Sequence, residues 1–362
     1  MLDAASFIAG PLAAAFLGDL GAEVVKLEPE GGDPLRRIGG TLDDDMSATF
    51  AFANRGKRGV SLDLGTEEDQ AVAARLAAAS DIVIHNQRPA GAERLGLGAA
   101  PIVVEITAFG RSGRYSDRAA LDPMVQAMSG IAALTGEPDG APRRAGAPVV
   151  DIATALTAAF SALAALRARE LTGDPKLVTV SLFEVGLLLN SSSFAMRSAR
   201  GEPLERLGNA SHALLTDQFA AADGLLWLAV WEDRQWRRLC QLLSLEDLAE
   251  DESYDSNAGR VANQDSLGPM LAAAIAGRRA EELRAELAGA GIPAAVTLSL
   301  EEVIADPHVA ETGALRTEAR LPGPDLSLPA GPFRLDGERP GPRGPAPRLG
   351  EHTAEVIGEL DG

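Results

Sequence analysis

A single acid, Asp151, stands between Val149-Val150 and an unbroken alanine-rich apolar run that closes at Arg167-Ala168-Arg169-Glu170. A proline- and arginine-bearing loop from Pro142 precedes it. Two chemistries suit an acid in that place. Asp is a preferred helix N-cap, because its carboxylate accepts orphan backbone N–H groups. Arg167 and Arg169 then suit the C-terminal end of the same helix. Alternatively, the carboxylate faces a cleft and acts as a nucleophile. Local sequence alone leaves both open.

The other residues with chemical potential are arginines in loops. GGDPLRR (Gly31 to Arg37) sets Arg36 among glycines, FANRGKRGVSLDL carries Arg55, Lys57 and Arg58, and HNQRPAGAERLGLG carries Asn86, Arg88 and Arg94. A guanidinium fork matches phosphate oxygens. The glycine loop TAFGRSGRY (Thr107 to Tyr115) can bring backbone N–H groups close to a ligand. Each piece taken alone is more often solvated surface. Together they point to an anionic, multi-phosphate ligand.

Composition narrows the field. The 362 residues include 33 Lys+Arg against 52 Asp+Glu, a net charge of −19. That balance speaks against nucleic-acid or anionic-membrane partners, which need basic patches. Cys240 is the only cysteine, so neither an internal disulfide nor a Cys-based zinc site is available, and it reads as a buried, inert thiol. The four histidines, His85, His212, His308 and His352, form no i,i+4 pair, so no metal is expected. The start lacks a basic n-region and no stretch reads as long and apolar enough to span a bilayer. A cytoplasmic protein is the expectation.

The length suggests two domains. In the N-terminal third, helices and short apolar strands alternate. A helix follows Gly10-Pro11, strands cover 22–28 and 59–64, a helix runs from Thr66 to about Ala79, and strands cover 81–86 and 101–110. That rhythm predicts βαβ units and a parallel sheet, with ligands beyond the C-terminal strand ends. No G-x-G-x-x-G follows the first strand, so a dinucleotide oxidoreductase is the weakest reading. Helices are expected at 123–134 and 152–172, a strand at 177–182 and a helix at 183–198. After a polar break at 197–212, two apolar runs flank the turn dipeptide Asp223-Gly224. Helices at 233–243, 264–276 and 279–290 follow, then a Pro/Gly-rich returning segment at 321–348 and a last helix.

The ordered series AGPLAAAFLGDLGAEVVKLEPEGGDPLR, NRGKRGVSLDL, NQRPAGAERLGLG, ITAFGRSGRYSDRAALDPMVQAMSGI, PRRAGAPVVDIATAL and LGEHTAEVIGEL resembles the family III CoA transferases, the CaiB/BaiF family, over almost the whole chain. The resemblance implies an α/β fold with a Rossmann-like large domain (1–200 and 321–362) and a smaller α/β domain (210–315), joined by 201–209 and 316–348. It implies an interlocked, ring-like homodimer. It makes Asp151 the catalytic nucleophile and places coenzyme A contacts on Arg36, Asn86 and Arg94, with Arg55 and Arg58 nearby and Arg88 as a weaker candidate. The substrates implied are an acyl-CoA donor and a carboxylic acid acceptor. The reaction implied runs through an aspartyl anhydride and an aspartyl-CoA thioester. Two alternatives travel with the resemblance: an α-methylacyl-CoA racemase, and a CoA-binding homologue without activity. Racemases of this family use a His beside an Asp in the loop matched by Ala119-Ala120-Leu121-Asp122. Leu121 occupies the His position and cannot exchange a proton. The chain start leaves almost no strand ahead of the first helix, and Ile8 stands where formyl-CoA transferase-like members carry glutamine.

Overall fold

The computed structural model describes residues 1–318 and 325–361. Positions 321–324 of the expected returning segment lie outside the described residues. The chain divides into two compact units, Met1–Ile131 with Arg144–Ala199 and Pro307–Gly362, and Ala132–Arg143 with Arg200–Asp306. Residues 132–143 and 200–209 thus join the second unit and 307–315 the first, unlike the division expected from sequence. Arg206 shows why at one seam: it donates to the carbonyls of Ala133 (3.1 Å), Glu137 (3.2 Å) and Gly140 (2.6 Å).

In chain order the first unit contains β1 (Leu2–Ala4), α1 (Ala9–Asp19), β2 (Val25–Pro29), a small hairpin of β3 (Thr41–Asp43) and β4 (Met46–Ser47), α2 (Ala48–Asn54), β5 (Arg58–Leu62), α3 (Glu67–Ala78), β6 (Ile82–His85), α4 (Pro89–Arg94), β7 (Ile102–Thr107) and α5 (Asp122–Met128). A short α6 (Ile131–Leu134) follows and passes into the second unit after Ile131; the first unit resumes with α7 (Val149–Thr172), β8 (Lys176–Ser181), α8 (Leu182–Leu189) and α9 (Ser191–Arg200), whose last residue belongs to the second. The helix expected at 123–134 breaks at Gly130, whose φ is +87°. The helix expected at 183–198 breaks at Asn190.

Six strands form one sheet in the order β5-β2-β1-β6-β7-β8. All five pairings are parallel. Taken by position in the sheet's own sequence, this is the doubly wound order whose direction reverses between its first and fourth strands, here β1 and β6. The first strand is therefore not lost. Leu2, Asp3 and Ala4 are buried and sit at the centre of the sheet. Three residues suffice because neighbours on both sides supply the hydrogen bonds, and periodicity is unreadable in so short a run.

Both faces of the sheet are covered, so its strands read as continuous apolar runs. Ile82 and Ile84 pack on the face covered by α1, α7 and α8, and Val83 on the face of α3. This is the two-residue alternation of a strand. On α7, Ala155, Ala158, Ala159, Ala162 and Ala165 are buried at helical spacing. Their small side chains let α7 lie closely along α1. By length and composition α7 is also capable of crossing a membrane, which corrects the expectation that no stretch was. Its alanine face is committed to the sheet layer.

The second unit holds an antiparallel sheet of β9 (Leu215–Ala220), β10 (Leu225–Val230) and β11 (Ala294–Val296), in the order β11-β10-β9. The β9–β10 hairpin turns at the expected Asp223-Gly224. Helices Asp233–Leu243, Gln264–Ile275 and Ala280–Gly289 pack on it around Trp236, Leu239, Leu271 and Leu283. Cys240 is buried there, and burial pushes its thiol up to about 12.

Candidate active site

The N-terminus of α7 is organised by a neighbour, not by Asp151. Pro148 occupies the N-cap and offers no side-chain hydrogen bond. Asp151 is the third residue of the helix, inside the first turn. The orphan donors are taken from α5: Asp122 Oδ2 accepts the backbone N–H of Val150 at 2.8 Å and of Asp151 at 3.1 Å. Asp122 Oδ1 accepts from Gln126 Nε2, and Gln126 Oε1 accepts the N–H of Ala145 at 2.9 Å. Asp122 and Gln126 are both buried. One acid and one amide, an i,i+4 pair on α5, thus hold both ends of the loop that enters α7. This corrects the N-cap reading of Asp151. The cap is Asp122, 29 residues earlier.

The consequence is electrostatic. Because Asp122 satisfies the amides, the Asp151 carboxylate carries no backbone hydrogen bond and no ion pair among the described residues. Burial, and then the Asp122 charge beside it, push Asp151 up to about 7. Both causes disfavour the ionised form. A carboxylate in that state is unusually basic, and it titrates near neutrality. Ile8 and Ala120, with Val149 and Ile152 on either side of Asp151, pack against the main apolar cluster.

A second arrangement lies at the point where the strand order reverses. Asn86, just beyond β6, accepts the N–H of Ser6 at 3.0 Å and donates to the Ser6 carbonyl at 2.9 Å. Both ends of its amide are thereby used to fix the loop between β1 and α1. The neighbouring Phe7 has φ +66°, a left-handed conformation that a bulky residue seldom adopts. Asp33 Oδ1 accepts its N–H at 3.2 Å. Beneath the loop, Lys26 pairs with Asp33 at 3.1 Å and donates to the Ala5 carbonyl. Lys57 pairs with Asp3 at 2.7 Å and donates to Asn54 Oδ1 at 2.8 Å. Burial pushes the Lys57 ammonium down to about 8. A cavity of about 140 Å³ opens here, lined by Ser6, Lys26, Asp33, Leu64, Gln87 and Leu95.

The structure distributes the arginines differently from the sequence-based expectation. Arg36 is buried and bidentate to Glu28 (2.7 and 2.6 Å), donates to the carbonyls of Asp45 (2.8 Å) and Pro347 (3.2 Å), and lies 3.8 Å over the Phe50 ring. Arg55 is buried against Asp19 and donates to the Phe52 carbonyl at 2.7 Å. Both are internal brackets, buried and already committed to these acceptors. Arg58 begins the edge strand β5, at the N-terminal end of the parallel strands, whereas Asn86 lies beyond the C-terminal end of β6; Arg58 pairs with Glu355 (3.2 Å) and Glu359 (2.7 Å). It is not brought together with Asn86. Arg88 and Arg94 flank α4, immediately after β6, with their side chains exposed and no internal partner among the described residues. These two remain open to an anionic ligand. Arg94 keeps the place expected of it from sequence, while Arg88's exposure and Arg36's commitment exchange the weight given to those two.

The model of CoA-transferase family III matches residues 1–353. The chain belongs to CoA-transferase family III. It is 34% identical to the succinate–glutarate CoA-transferase of Agrobacterium fabrum, over 100% of this chain and 94% of that protein. It is 32% identical to the succinyl-CoA:mesaconate CoA-transferase of Haloarcula hispanica, over 99% and 94%. Among solved structures, a CaiB/BaiF family protein from Brucella suis superposes with a TM-score of 0.87 at 33% identity, covering 99% of this chain and 97% of that one. In this CoA-transferase family chain, sequence reasoning missed the capping role of Asp122 and Gln126. Their only signal is the spacing of DPMVQ at the head of an otherwise apolar helix.

Proposed function

We propose that this protein transfers coenzyme A between carboxylic acids, with Asp151 as nucleophile. The observation that carries the reading is the uncapped Asp151 carboxylate at the head of a helix whose amides Asp122 satisfies. Asp151 attacks the thioester carbonyl, the C–S bond breaks, and a mixed anhydride and CoA thiolate result. The thiolate attacks the aspartyl carbonyl, releasing the donor acid and leaving Asp151 as a CoA thioester. The acceptor carboxylate attacks that thioester, forming a new anhydride, and the thiolate then takes the acceptor's acyl carbon and frees Asp151. Covalent catalysis of this kind conserves the thioester's energy, provided water is kept from the anhydride. Short dicarboxylic acids are the proposed substrates, as the names of the relatives from Agrobacterium fabrum and Haloarcula hispanica state for those enzymes. Arg88 and Arg94, exposed beside the strand-end cavity, supply cations for the phosphates of CoA.

Leu121 favours transfer over racemisation, because the position has no proton to exchange. We further propose the interlocked homodimer. On α7, Leu156, Phe160, Leu163 and Leu171 are exposed, with Phe160 at 74%, an apolar stripe suited to a second copy of the chain. A monomer by sedimentation equilibrium would refute the dimer.

Incubation with an acyl-CoA and hydroxylamine, followed by peptide mass spectrometry, tests the nucleophile. A hydroxamate at Asp151, absent from Asp151→Ala, is expected. Full transfer by Asp151→Ala, or adducts elsewhere, would overturn the mechanism. CoA binding without an adduct under any donor would instead identify an inactive homologue.

A further inference from the structure

The loop 108–121 joins the end of β7 to α5, and so runs directly into Asp122. It carries Arg111, Arg114 and Arg118, with Asp117 as its one acid. The three arginines differ in what holds them. Arg111 pairs with Glu105 at 3.2 Å. Arg114 is exposed, with neither a partner nor a ring beneath it among the described residues. Arg118 is exposed and lies over the Tyr115 ring, 4.3 Å from its centroid, and its backbone N–H donates to the Tyr115 carbonyl at 2.9 Å.

That ring is itself supported. Tyr115 meets Phe109 edge-on at 5.6 Å, and Phe109 lies 5.8 Å from Phe183. Phe183 donates its N–H to the Ala108 carbonyl at 3.0 Å, and packs against the apolar cluster that also contains Val149, Val150 and Ile152. The stack therefore rests on the same cluster as the residues flanking Asp151. Arg118 stands four positions before Asp122, at most about 15 Å of backbone, and Asp122 touches the Asp151 amide at 3.1 Å. A guanidinium stacked on a ring has its plane set in advance, while its edge donors stay available for a carboxylate. No acid of the described chain pairs with it.

A dicarboxylic substrate brings a second negative charge to a site that already holds Asp122 and Asp151. A cation held near that charge offsets the repulsion. We propose that Arg118 is the specificity-determining residue that binds the distal carboxylate of the dicarboxylic acyl group, in the transferase reading given above. A monocarboxylic acyl group of equal length makes no such contact.

The test compares single-turnover acylation of Asp151 by glutaryl-CoA and by pentanoyl-CoA, read as the trapped hydroxamate, in the wild-type protein, Arg118→Gln and Arg118→Lys. The wild type is expected to prefer glutaryl-CoA. In Arg118→Gln that preference falls by about 30- to 100-fold, the usual effect of losing a charge-assisted contact, and Arg118→Lys restores part of it. A preference unchanged in Arg118→Gln, or wild-type preference for pentanoyl-CoA, would overturn the assignment. Glutaryl and pentanoyl rates falling together would assign Arg118 a structural role instead. A wild type acylated by neither thioester refutes the transferase reading itself, and Arg118's role with it.

Discussion

Replacing Asp122 by Asn tests whether a neighbouring charge tunes Asp151. The substitution keeps the shape and an oxygen that accepts the amides of Val150 and Asp151. It removes one negative charge. Asp122 Oδ2 lies 3.1 Å from the Asp151 amide, and its charge acts on the Asp151 carboxyl. At a separation of about 6 Å and an effective dielectric of about 40, between the near-surface value and bulk water, one unit charge contributes about 1.4 kcal/mol, a tenfold change in the proton equilibrium. Burial is the larger cause of Asp151's elevation to about 7, and it survives the substitution. The pH midpoint of Asp151 acylation should therefore drop to about 6, well short of the ordinary 3.8. At pH 6 the ionised fraction then rises about fivefold. Hydroxamate formation at Asp151 against pH, in single turnovers, measures the midpoint directly. The Gln126 amide must reorient toward the new side chain, at a cost of about 1 kcal/mol in stability; a thermal melt checks that the fold is intact. An unmoved midpoint in a folded variant would refute the electrostatic role of Asp122 and leave it a cap alone.

Other consequences follow from the same geometry. Between pH 4 and 7 the folded protein holds a proton on Asp151 that the unfolded chain has released, so this group's contribution to stability falls as pH rises through that window. Asp151→Asn should accordingly raise the melting temperature at pH 8, by up to about 4 kcal/mol of stability, with the gain vanishing towards pH 4; a gain constant with pH contradicts the elevated carboxyl. Arg36→Ala should lower stability by about 3–5 kcal/mol, because it leaves Glu28 buried and unpaired, as denaturant unfolding will show. Arg88→Ala and Arg94→Ala should leave stability near wild type but each raise the KM for acyl-CoA about tenfold; KM values unchanged in both would remove these two residues from the ligand site.

Much of the architecture was legible in the chain. The helices and strands of the parallel layer have strong, continuous apolar runs, because both faces of that sheet are buried. The Thr66 cap is equally plain, accepting the Asp69 N–H at 3.3 Å. The short elements were not legible. β1 has three residues and α2 seven, too few for periodicity to declare itself. The interruptions at Gly130 and Asn190 fall inside patterns that look continuous.

The site divides along the same line. An acid before a long apolar helix, and arginines after strands, are properties of sequence, and so is the resemblance that singled out Asp151. Which of those groups are free is a property of the fold alone. Arg36 and Arg55 look like ligand contacts until Glu28 and Asp19 are seen beside them. Asp151 looks like a cap until Asp122 is found holding its amide. A backbone N–H donates well to one acceptor at a time, and the acceptors that compete for it come from residues distant in the chain. The sequence names the groups capable of chemistry; only the tertiary structure decides which are already satisfied and which are left to react.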